Sequence, residues 1–436
     1  MAPRREKAPS RFLRLVKYVY AILGMVLYQD ALTSPMRVLR GAPRLQSGET
    51  EITNTIGQLV VLSGLVFFLW KYRRDLVKSL HFLFPVLAVL ALCFLSTIWS
   101  GFPPSTLRRS VTLSICFFFG IFCYYQFGLA KTIELMAKTT AVLAVLSLAA
   151  YYFMPSLGRE TAQNYENAMR GVYSQKNSIG AAMLFASNYF LFAFFARRKI
   201  GFLGSIGGLA VLACLALSAS ATALIIFASL IVLHFRNFIR RWWRLRLLLT
   251  YGIATVALVL AVGLIAAPAE LLGLMGRDLS FTGRVPLWQM VIHYISLKPI
   301  FGYGYAAFWN QSSVLAQTIW RDIGWQAPDA HSGYLDVLLQ LGAVGFIFCL
   351  WTWGRIISRT RRVAKRGGFP ELYWLIGLII ITVIVHLDEG PQPAADEFTL
   401  IIPVVMLTLE RLLRRPMRAP RRKAATAADL VAARMG

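Results

Sequence analysis

The chain has 436 residues, 57% of them hydrophobic and only 15% charged, with a formal net charge of +26 and a mean hydropathy of +0.59. A soluble protein of this length carries about 25% charged residues, so the composition excludes an ordinary soluble domain and indicates an all-α polytopic membrane protein. The basic balance would suit nucleic acid, but the Lys and Arg residues sit at alternate ends of apolar runs, where membrane topology places them, and no nucleic-acid partner is implied.

In chain order, a basic arm at 1–17 leads into an apolar stretch that lacks a small-residue cleavage site, so the first helix reads as uncleaved. Spanning helices need about 20 mostly apolar residues, and about 12 transmembrane helices are expected. They lie near 12–32, 52–70, 80–98, 111–127, 135–154, 177–196, 200–217, 219–235, 247–267, 334–353, 372–387 and 398–412. With the N-terminus inside, 34 of the 46 Lys and Arg residues fall in cytoplasmic segments, which puts both termini in the cytoplasm. The cytoplasmic arms, including the basic tail at 414–436, are suited to anionic membrane lipids. A single membrane domain then covers 18–413.

Of the outer loops, 33–51, 100–110 and 155–176 are short, while 268–331 is long enough to need structure or function of its own. It is predicted to contain a helix over Arg284–Leu297 that carries Trp288, Val291, Ile292 and Ile295 on one face. Cys93, Cys116, Cys123, Cys214 and Cys349 all fall inside apolar spans, so neither disulfides nor a thiolate metal site is indicated. No HxxxH, HExxH or carboxylate cluster appears, so no metal site and no cofactor are expected.

Arg284 opens the loop helix, with Pro286 tolerated in the first turn. A guanidinium beside free helix N–H groups suits phosphate; the bland alternative is an Arg reaching for lipid headgroups. His331 stands just before the helix at 334, where a neutral imidazole is favoured and could accept a hydroxyl proton; a structural His is the competing reading. Gly302-Tyr303-Gly304 lacks the strand and third glycine of a nucleotide loop and reads as a turn for close backbone packing. The loop's aromatics, Trp288 and Tyr334 among them, could stack on sugar rings or form an interfacial belt. Arg170 and Lys176 add outer-face charge before the sixth helix. Trp99-Ser100 with Pro103 and Arg108-Arg109 reads as a loop anchor.

Together, Trp99 to Pro103, Gly171 to Gly180, Gly283-Arg284 with Trp288, Pro299 to Gly304, and His331 to Gly342 with Gly345 resemble the O-antigen polymerase and ligase superfamily, above all its exopolysaccharide-polymerase branch. The resemblance implies a bacterial inner-membrane protein whose large periplasmic loop, containing short helices, covers an outward-facing active site. It implies metal-independent inverting glycosyl transfer from a polyprenyl-diphosphate-linked glycan to a sugar hydroxyl, with Arg284 on the diphosphate and His331 as base. A chain-length regulator is a further implied partner. Two departures stand out: Ala221-Thr222 follows Ser218-Ala219-Ser220 where ligases carry an arginine, and Ser332 follows the histidine where asparagine is common. The first leaves a second diphosphate cation to be found, with Arg170 or Lys176 as candidates, and favours a polymerase over a ligase acting on a lipid A-core acceptor. A flippase of lipid-linked sugars is the alternative of a different class; it predicts charges at mid-membrane and broken helices.

Overall fold

The computed structural model describes residues 10–29, 31, 35, 52–160, 167–239, 284–388 and 394–414. The expected span at 247–267, the first part of the large loop, and the outer parts of both basic arms lie outside these residues. Among the described residues the fold is helical, with one isolated antiparallel bridge between Arg159 and Met169. Its helices are α1 Arg11–Tyr28, α2 Ile52–Leu95, α3 Pro103–Phe153, α4 Pro155–Gly158, α5 Lys176–Phe195 and α6 Phe202–Leu217, followed by α7 Ala221–Phe238, α8 Arg284–Leu297, α9 Val314–Ile323, α10 Gly333–Arg366, α11 Leu372–Asp388 and α12 Glu397–Arg414.

Five described helices, α2, α3, α5, α7 and α10, are long and apolar enough to cross a membrane, and α6 and α11 are shorter apolar helices. Phe67, Trp70, Leu203 and Ile347 stand exposed on the outside. An outer surface of this kind suits hydrocarbon, not water.

Two expected spans, 52–70 and 80–98, fall within one helical run. A straight helix of the 44 residues of α2 would be about 66 Å long. Its two ends nevertheless touch the same end of α3: Thr112 Oγ1 donates to Gln58 Oε1 at 2.8 Å, while Ser100, five residues beyond α2, meets Thr106 at 2.7 Å. The run therefore doubles back, and its middle is the basic stretch around Lys71 to Lys78, where Tyr72 stacks on Tyr125. The spans 111–127 and 135–154 likewise share α3, which breaks at Gly128 with φ 69° and ψ 175°. Only glycine enters that region without strain.

α3 is the hub of the bundle, packing on α1, α2, α5, α6 and α12. At Gly120 it comes so close to the Leu400 carbonyl and Pro403 of α12 that a side chain would collide.

α10 carries the feature that positions everything above it. At Gly342 the backbone leaves the helix, with φ 64° and ψ −165°, which strands the carbonyls below the break and the N–H groups above it. The turn Pro299–Gly304 fills the gap. Tyr303 N and Gly304 N donate to the Leu339 and Gln340 carbonyls at 3.0 and 2.9 Å, and Ala343 N and Val344 N donate to the Pro299 and Ile300 carbonyls at 2.8 and 3.2 Å. A Cβ on Gly302 would sit 2.6 Å from the Leu339 carbonyl oxygen, and one on Gly342 would strike the Ile300 carbonyl.

Gly342→Ala is therefore expected to destabilise the fold by about 2 kcal/mol or more, combining the positive-φ cost with backbone overlap. A detergent melting curve checks this; an unshifted midpoint would show that the turn does not close the break.

The loop has a small core of its own, separate from the bundle, in which Leu287, Val291, Phe308, Ile319, Trp320 and Leu339 are buried. Several of its aromatics are thus neither a lipid belt nor a stacking surface: they face one another and hold α8 and α9 against the start of α10.

Candidate functional site

The stretch after the turn is stitched to the Trp99-Ser100 segment. Tyr305 N donates to Ser96 Oγ at 2.9 Å, Thr106 Oγ1 donates to the Tyr305 carbonyl at 2.8 Å, and Trp99 Nε1 donates to the Phe301 carbonyl at 3.3 Å. Gln340 Oε1 accepts from Ala306 N at 2.8 Å. Loop and bundle are thereby fixed to each other on both sides of the spliced helix.

His331 sits on this platform, buried and with φ 46°. A histidine in the left-handed region is strained by an amount of order 1 kcal/mol and stays there only when its surroundings hold it. Those surroundings are visible. Asp329 Oδ1 accepts from His331 N at 2.8 Å and lies 3.9 Å from His331 Nδ1, and the Trp325 ring lies 5.5 Å from the imidazole, centroid to centroid. Asp336, fully buried in the first turn of α10, accepts from Trp309 Nε1 at 2.8 Å and from Ala330 N at 3.2 Å. One carboxylate holds the residue itself and the other holds the residue before it.

Beside this pair lies a partly open cavity of about 150 Å3, lined by Arg109, Tyr305, Trp309, Asp329 and Gln340 among others. Burial holds the Tyr305 phenol above its ordinary range, so it remains a neutral hydrogen-bond donor. The arrangement can accept a proton at an imidazole backed by a carboxylate, and it offers a cation and neutral donors to an anion close by.

The sequence-derived site residues divide into two groups. Arg284 begins α8, and Trp288, one turn further on the same face, donates from Nε1 to the Ala330 carbonyl at 2.9 Å. The start of α8 is thus tied to the residue preceding His331. Tyr334 joins α10 to α11 by donating to the Val383 carbonyl at 3.0 Å. Arg170 is 5% exposed and gives its guanidinium to the Leu157 and Ser156 carbonyls at 2.9 and 2.8 Å, which braces the end of α4. Lys176 starts α5. Of the sequence-derived site residues, His331, Arg284, Trp288, Tyr334, Arg170 and Lys176, none lines the cavity itself; His331 adjoins it through Asp329. No group of three or more metal-ligating side chains occurs among the described residues.

Trp288→Phe, which leaves the Ala330 carbonyl without its donor, is expected to cost about 1 kcal/mol and to speed amide exchange around 330. Exchange rates equal to wild type would contradict the tie.

Arg109, Asp329 and Asp336 were not identified as site residues from the sequence. Arg109, which the sequence presents with Arg108 as part of a loop anchor, lines the cavity. For Asp329 a signal existed, since an acid two residues before a candidate base is within reach of its backbone. For Asp336 the signal was a carboxylate one turn into an apolar helix.

Comparison with known proteins adds two findings. Residues 206–350 match the family model described as O-antigen ligase. The chain is also 25% identical over 397 residues to a protein of Rhizobium meliloti (strain 1021) named "Exopolysaccharide production protein ExoQ", covering 85% of this chain and 86% of that one. The family match spans α6 to α9 and the break in α10, and so includes both partners of the spliced turn.

Proposed function

We propose, with the O-antigen ligase and polymerase superfamily that both matches support as the premise, that this multi-pass membrane protein is a polysaccharide polymerase. It would transfer a polyprenyl-diphosphate-linked glycan to a hydroxyl of another lipid-linked repeat, on the periplasmic face of a bacterial inner membrane. The observation that carries the reading is His331, held at positive φ between Asp329 and Trp325 beside a cavity lined by a cation.

In the proposed step the acceptor O–H proton passes to the neutral imidazole of His331, whose backbone Asp329 holds. The acceptor oxygen bonds to the anomeric carbon as the bond from that carbon to the phosphate oxygen breaks, and the electron pair leaves with the diphosphate. A single displacement inverts the anomeric centre. Negative charge grows on the leaving group, so a cation there stabilises the transition state more than the ground state, and Arg284 at the start of α8 is assigned to it. The imidazolium then returns its proton to solvent.

The test is to supply the purified protein in bilayers with lipid-linked repeats in the presence of a chelator. The expected product is lipid-linked polymer. Transfer only to a lipid A-core acceptor would make the protein a ligase. The breaks at Gly128 and Gly342 are of the kind expected of a flippase, so cells separate the two: a null strain that holds lipid-linked repeats on the cytoplasmic leaflet would make the protein a flippase.

A further inference from the structure

The reaction proposed above needs positive charge at the departing diphosphate beyond Arg284, and among the described residues the cavity has one arginine on its wall, Arg109. Arg109 lies in the second turn of α3 and lines the cavity with Thr112, Tyr305, Trp309, Asp329 and Gln340. Its Nε is buried and has no hydrogen-bond partner among the described residues. Other partly buried arginines are committed: Arg170 to two backbone carbonyls, Arg198 to Glu371 at 2.9 Å, and Arg359 to Glu410 at 3.2 Å.

A guanidinium buried without a counter-charge is costly, and an anion held by the cavity-lining end of Arg109 would offset that cost. Asp329 shares the cavity, but its Oδ1 is turned to His331. Gln340 gives its oxygen to Ala306 N, which leaves the NH2 end of the amide as its donor, and the Tyr305 phenol is neutral. The cavity therefore has a cation and an amide on its walls, with Asp329, the neighbour of His331, at one side.

We propose that Arg109 binds the diphosphate of the lipid-linked donor, as the second cation of the site. The assignment rests on the transfer reaction of the preceding section. A planar guanidinium can grip two phosphate oxygens at once, which an ammonium cannot. A carboxylate on an acidic sugar would present the same chemistry, so the probes must separate the two sources.

The experiment uses the full chain in nanodiscs and three probes: a sugar-free polyprenyl diphosphate, the corresponding monophosphate, and glucuronate as competitor. Arg109→Ala and Arg109→Gln are expected to weaken diphosphate binding by about 10-fold or more, with Arg109→Lys in between. Monophosphate affinity should change less, and glucuronate should not compete. Wild-type affinity in Arg109→Ala, or in Arg109→Lys should the alanine variant fail to fold, would overturn the assignment and leave the polymerase reading intact. Glucuronate competition lost only in the Arg109 variants would overturn it in favour of a sugar carboxylate. Failure of the wild type to bind the diphosphate would remove both the assignment and the donor on which the polymerase reading depends.

Discussion

A His331→Ala strain with normal protein levels is expected to lose long surface polysaccharide, the transfer rate falling by about 10²- to 10⁴-fold. The expectation follows from placement. His331 is buried at positive φ, with a carboxylate oxygen 3.9 Å from Nδ1; that distance is long for a hydrogen bond, but catalytic contacts commonly tighten only when substrate is bound. Alanine keeps the backbone in place but removes the proton acceptor. Asparagine tolerates the left-handed region better than other non-glycine residues, so His331→Asn separates loss of the base from backbone strain. Both variants should fail to elongate while melting close to wild type. Unchanged long polymer in either would remove His331 from the chemistry.

Asp336→Ala is expected to be the most damaging single change to the loop. Asp336 is fully buried, and its two oxygens accept from Trp309 Nε1 and Ala330 N. Truncation leaves two buried donors unsatisfied at about 1–3 kcal/mol each, a cost of the same order as the whole stability of many domains. Asp336→Asn should rescue only in part, because its oxygen can serve one donor while its NH2 group opposes the other. Hydrogen exchange over residues 305–331 is the readout, with rapid exchange in the alanine variant and intermediate exchange in the asparagine variant. If both exchanged like wild type, the carboxylate would not be holding the loop.

Much of this was legible from periodicity and composition. The loop helix was predicted at Arg284–Leu297 and is found there, because its apolar face repeats at helical spacing. α10 was expected to stop near 353, where hydropathy falls, yet it continues to Arg366: beyond the apolar run, Ile356, Arg359, Thr360 and Val363 are buried on one face, and an amphipathic stripe keeps a helix packed without overall hydrophobicity. α9 does not stand out by periodicity, although its limits are written in the sequence. Ser313 caps it by accepting from Ala316 N at 3.3 Å, and Gly324 ends it in the left-handed region. The cavity could not be read, since Arg109 and Asp329 are separated by more than two hundred residues and meet only through the tertiary fold. The Gly302-Tyr303-Gly304 turn was legible as a place of close packing, but its partner was not, because nothing local in Gly342 says which segment will fill the break it makes.

The splice at Gly342 also bears on how the chain is made. The carbonyls of Leu339 and Gln340 and the N–H groups of Ala343 and Val344 have the Pro299–Gly304 turn as their partners, and unsatisfied backbone is poorly tolerated at membrane depth. During synthesis the turn leaves the ribosome some forty residues before its acceptors do. Until the second half of α10 arrives, the turn has nothing to close onto; until the turn docks, α10 is two short helices with open ends. The four backbone hydrogen bonds across the break are thus completed only when both segments are in place, and the platform under His331 with them.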